Sequence, residues 1–138
     1  MRKLLTYIFI VSSLLLGVAG KCKKKTPPPP AEASLQVTLD PAGNSVQPPA
    51  PQATFPLKVT INSTMPAQGV TIAISSKKDD GSVDPAFFTA SQNSTVAVND
   101  FTITGTPVSI ICITTVTVIS RTDANNKWTG TYRYSRKP

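Results

Sequence analysis

Side chains able to do chemistry are few in this sequence and lie far apart. Histidine is absent, which removes the commonest general base, the commonest metal ligand and the usual activator of a serine or cysteine nucleophile together. The acids are Glu32, Asp40, Asp79, Asp80, Asp84, Asp100 and Asp123. Glycosidase chemistry needs two carboxylates facing one another across a cleft, and these sit in turn-like segments without a recognisable motif. Asp79, Asp80 and Asp84 surround Gly81 and offer oxygen ligands for a hard cation such as calcium, but an EF-hand loop alternates its ligands and closes on a distant Glu. A solvated Asp-Gly turn accounts for the same residues. The expectation is therefore a non-enzymatic protein with no catalytic residues, no metal site and no cofactor.

Two further features bear on chemistry. Cys112 stands among Ile110, Ile111 and Ile113, where apolar burial raises a thiol pKa and makes it inert; it is assigned to the core. Trp128, Gly130, Tyr132 and Tyr134 share one face of an extended segment at a spacing of two, with Thr129, Thr131 and Arg133 on the other. An aromatic row opposite a polar row is what a half-buried edge strand requires. Exposed instead, Trp128, Tyr132 and Tyr134 would form a stacking platform for sugar rings, which makes glycan binding the alternative function.

The segments that must position these residues alternate like strands. Leu35, Val37 and Leu39 form one row, Phe55, Leu57, Val59 and Ile61 a second, and Val70, Ile72 and Ile74 a third. Asp40 to Thr54 is rich in proline and predicts a loop or an edge. Phe87 and Phe88 are adjacent, so one is expected inside and the other at an edge. Thr95 to Val98 and Phe101 to Thr104 predict short strands parted by a turn at Asn99 and Asp100. Val108 to Arg121 is filled with β-branched residues and reads as the organising core strand, long enough to predict a bend near Thr114 and Thr115. Its segment Ile110 to Ile113 is apolar on both faces and predicts cover on each side. Asp123 to Asn126 then turns the chain into a final strand, Trp128 to Tyr134. The sum is an all-β protein, an antiparallel β-sandwich of about seven strands.

Charge narrows the partners. The chain carries +7, but Arg2, Lys3, Lys21, Lys23, Lys24 and Lys25 concentrate it in the first 25 residues. From Ser34 onward eight basic residues face six acids, a net of +2. Such a body lacks the basic face that holds phosphate backbones, and nucleic acid is not expected as a partner.

Arg2 and Lys3 precede an apolar run from Leu4 to Ala19, short for a bilayer span and suited to a secretory signal helix. Ala19-Gly20-Lys21-Cys22 at its end resembles the lipobox of bacterial lipoproteins. The resemblance implies cleavage before Cys22, acylation of that cysteine with lipid chains such as palmitate, and anchoring in the cell envelope, at the outer membrane on its periplasmic or surface face. Ordinary cleavage near Ala19 or Gly20, or retention as an uncleaved anchor, are the other outcomes open to this segment. Lys23 to Lys25 would lie against anionic headgroups, and Pro27 to Pro30 favours a stiff polyproline II spacer. The expected organisation is a signal peptide over 1–21, a lipidated tether over 22–33 and a single domain over 34–138. The strand rhythm of that domain, with the Thr-Val-Ile-Ser-Arg-Thr-Asp-Ala-Asn-Asn-Lys-Trp hairpin at 117–128, resembles immunoglobulin-like and fibronectin type III-like domains of bacterial surface lipoproteins. That resemblance implies an interaction or structural module, with membrane lipid and an envelope protein or glycan as partners.

Overall fold

The computed structural model describes residues 30–138; the expected signal segment, Cys22 and most of the tether lie outside them. Seven strands form in chain order: β1 (Val37–Asp40), β2 (Phe55–Ile61), β3 (Val70–Lys78), β4 (Phe88–Ser94), β5 (Val98–Ile103), β6 (Ile111–Ser120) and β7 (Lys127–Ser135). Among the described residues there is no helix. One sheet has the order β1-β2-β5 and the other β4-β3-β6-β7, with every named pair antiparallel. This is an antiparallel β-sandwich. It departs from the antibody constant arrangement in that its fourth strand joins the third rather than the sheet of the first, second and fifth.

The alternating rows close the core as their period demands. Leu39, Phe55, Leu57, Val59, Ile61 and Ile103 from the first sheet meet Val70, Ile72, Ile74, Val116 and Val118 from the second, all buried. Burial of side chains like these contributes roughly 1.5–3 kcal/mol each against the entropy of ordering the chain. One polar contact is sealed within the core: the Ser76 and Thr114 hydroxyls, fully buried on β3 and β6, hydrogen-bond at 2.7 Å.

Four expectations change. Asn99 and Asp100 do not turn the chain; they lie within β5, and the turn sits earlier, at Thr95 to Ala97. Asn99 points inward and donates its amide to the Val96 carbonyl at 3.0 Å, so a residue read as punctuation serves as a side-chain brace for the preceding turn. The long apolar run breaks at its start, not near Thr114: Ser109 takes a φ of 60°, and β6 then runs unbroken from Ile111 to Ser120. Its register with both β3 and β7 is continuous. The outer face at Ile110 to Ile113 is not covered as expected, for Ile111 is 54% exposed. Finally, β4 extends through Gln92, Asn93 and Ser94, a polar stretch recruited as a strand by its register with β3. Phe87 and Phe88 are both half-buried against the core, so neither is fully inside.

Candidate functional site

β7 places the predicted aromatic row on the inner face of its sheet, opposite Cys112, Thr114, Val116 and Val118 of β6. Tyr132 and Tyr134 are buried. Tyr134 stacks at a tilt on Phe55, ring centroids 4.5 Å apart, and on Tyr132 at 5.7 Å, distances typical of favourable aromatic pairs. Its hydroxyl meets that of Thr106 at 3.3 Å. The Tyr132 hydroxyl is buried beside Thr114 without a partner in hydrogen-bonding geometry. Burial pushes both phenols above their ordinary range. Trp128 is half-buried and packs along the core margin, its indole lying over Gly130 where a methyl group would collide with the ring. The two tyrosine rings thus pack on one another and on the core, Trp128 packs at the core margin, and two of the three rings have no surface to offer a sugar.

Cys112 is likewise buried, its sulfur 3.7 Å from the Ile110 carbonyl oxygen. Burial, with the negative charges of Asp79 and Asp80, pushes its thiol up to about 11, so at neutral pH it is protonated and unreactive.

The acids around Gly81 are directed to separate partners. Asp79 accepts from Arg133 Nε at 2.5 Å and Asp84 from Lys78 Nζ at 2.8 Å. Asp80 accepts from the Ser82 backbone N-H at 3.0 Å, and bonding to Ser82 holds its carboxyl below the usual range. Among the described residues no three of His, Cys, Asp or Glu converge on one point.

A concave site arises where the sequence suggested only a loop. β1 ends at Asp40, opposite Lys58, so Phe55 to Leu57 of β2 pair with β5 alone. After the cis Asp40-Pro41 peptide the chain leaves that sheet and runs parallel to β7, with bridges from Val46 to Arg133 and from Ala50 to Arg136. Between this crossing segment and the half-paired β2 lies a groove of about 530 Å³. Its walls are Pro41, Pro48, Ala50, Phe55, Leu57 and Phe101, and Asp40, Gln47, Gln52, Lys58 and Asp100 supply polar groups. Asp40, Lys58 and Asp100 stand in one row across three strands, where opposite charges attract. The signal for this site was present in Pro41, Pro48, Pro49 and Pro51, which cannot continue a ladder, but nothing local says which sheet the crossing segment joins.

The opposite pole receives the start of the domain. The Asn126 side chain accepts from the Leu35 N-H at 2.9 Å and donates to the Ala33 carbonyl at 2.8 Å and to Glu32 Oε1 at 2.5 Å. One amide in the β6–β7 turn therefore fastens the entering chain. Comparison of the chain with protein-family models, with curated proteins and with solved structures found no match in any of the three.

Proposed function

We propose that the chain is a lipid-anchored protein of the bacterial cell envelope whose immunoglobulin-like domain is a non-enzymatic interaction or structural module. The anchor is Cys22, in a lipobox-like segment ten residues before Glu32, and its acyl chains supply the membrane partner. The observation that carries the reading is the division of the domain into two ends. The chain enters at the pole where Asn126 holds Glu32 to Leu35, while the proline-walled groove at Phe55 and Phe101 occupies the pole where β1 ends and β2 begins. An attachment made through the first pole leaves the second uninvolved in it, as an anchored recognition domain requires. The dispersed acids and the sealed Cys112 agree with a module that binds rather than reacts.

The test is replacement of Cys22. The parent chain is expected in the envelope membrane fraction and labelled by a fatty-acid probe, whereas Cys22→Ala loses the label and moves to the soluble fraction. Membrane retention of Cys22→Ala without label would overturn the lipid anchor.

A further inference from the structure

The sandwich has four outermost strands, and three of them carry a device against edge pairing. β1 is only four residues long and ends at Asp40, directly before Pro41. β5 carries Asp100 at its middle. β7 is covered along its second half by the 44–50 segment, through hydrogen bonds from Asn44, Gln47 and Ala50 N-H groups to the Thr131, Arg133 and Ser135 carbonyls. Short length, charge and cover are the means by which sheets avoid unwanted partners. Among the described residues β4 has none of them. Phe88-Thr89-Ala90-Ser91-Gln92-Asn93-Ser94 contains no charge and no proline, and its strand neighbour among the described residues is β3 alone.

We propose that β4 is a pairing edge for a second copy of this chain, antiparallel and two-fold, joining two four-stranded sheets into one of eight. The composition of β4 favours its own copy. With the dyad at Ser91, Thr89 faces Asn93 of the second copy on the outer face, Ala90 faces Gln92, and Ser91 faces itself. No like charges meet, which is the usual penalty for self-pairing. The Thr-to-Asn contact already exists within one chain, where Thr71 on β3 donates to Asn93 Oδ1 at 2.8 Å. Ser91, Gln92 and Asn93 are all exposed and can be reached without disturbing the core. The pairing adds a strand through main-chain hydrogen bonds, the chemistry of β-augmentation, and a closed two-fold contact of this kind ends at the dimer. The inference is independent of the lipid reading.

Cysteine cross-linking in the full-length chain tests it. Residues opposite one another in an antiparallel pair have Cα atoms about 4.5–5.5 Å apart, within the range a disulfide spans; Cys112 is buried and does not compete, and Cys22→Ala is carried in every variant and in the parent so that no other thiol can. Ala90→Cys, Ser91→Cys and Gln92→Cys are oxidised in place and compared with the parent and with Thr129→Cys on the exposed outer face of β7. At least one of the three β4 variants is expected to give a disulfide dimer severalfold above both controls, the strongest marking the dyad. Thr89→Cys with Asn93→Cys, which face one another across a dyad at Ser91, is expected to cross-link as well, and adding Ser91→Lys to that pair sets like charges face to face and is expected to abolish its dimer. Dimer levels no higher than in the controls, or an adduct whose mass is not twice the chain's, would refute pairing with a second copy.

Discussion

The indole of Trp128 lies over Gly130, two residues along the same face of β7, at a spot where any side chain would collide with it. Glycine weakens a strand interior by its entropy and by leaving a hole in the surface. Here the ring fills the hole, and the two residues form one packing unit opposite Val116 and Val118. Gly130→Ala is therefore expected to destabilise the domain by about 1–3 kcal/mol, although alanine is the better strand residue. Because the clash needs the indole, the same change in a Trp128→Ala background should cost much less. Urea unfolding of the four variants measures the coupling, and equal costs in both backgrounds would show that the ring and the glycine act separately.

The Ser76–Thr114 bond joins neighbouring strands β3 and β6 on the inner face of their sheet, and both hydroxyls are fully buried. Thr114→Val removes one partner and strands the other, at a cost of about 1–3 kcal/mol. The pair Ser76→Ala with Thr114→Val should cost less than the sum of the two single changes, since neither hydroxyl is then left unpaired. Additive losses in denaturant unfolding would mean that the bond itself contributes little.

Asn126 makes three side-chain bonds to Glu32, Ala33 and Leu35. Asn126→Ala is expected to cost about 1–2 kcal/mol and, more diagnostically, to raise hydrogen exchange at the Leu35 amide while the amides of β2 and β3 keep their protection. Unchanged exchange at Leu35 would show that β1 alone holds the entry segment.

Alkaline pH should probe Cys112. Its folded pKa is raised from an ordinary 9.0 to about 11, so the folded state keeps its proton after the unfolded chain has lost it. Stability is then fully present below about pH 9 and falls as pH rises towards 11, by on the order of 2–3 kcal/mol from this group. Tyr132 and Tyr134, both raised by burial, add to the loss at the upper end of that window. Cys112→Ala is expected to flatten the curve between pH 9 and 10, where the thiol dominates. A parent and variant with parallel curves would exclude the linkage.

Much of the core was legible because strand periodicity is a local property. Phe55, Leu57, Val59 and Ile61 alternate in sequence and are all buried, and the turn at Asp123 to Asn126 produced the hairpin between β6 and β7. Cys112 fell where its isoleucine neighbours implied. The polar half of β4 was not legible, since Ser91 to Ser94 has no apolar alternation and is held by register with Thr71 and Val70. Asn99 misled for a related reason: its turn-forming amide is spent from within a strand on Val96.

The sequence by itself determined the all-β class, the near-neutral body and the amphipathic face of the last strand, because each follows from residue type and a period of two. Tertiary structure alone decided that the crossing segment from Pro41 to Ala50 leaves β2 half-paired and opens a groove, that Tyr132 and Tyr134 face the core, and that β4 pairs with β3 alone among the described strands. Those outcomes depend on which strands become neighbours, and neighbour choice is fixed by the packing of the two sheets, which no single segment contains.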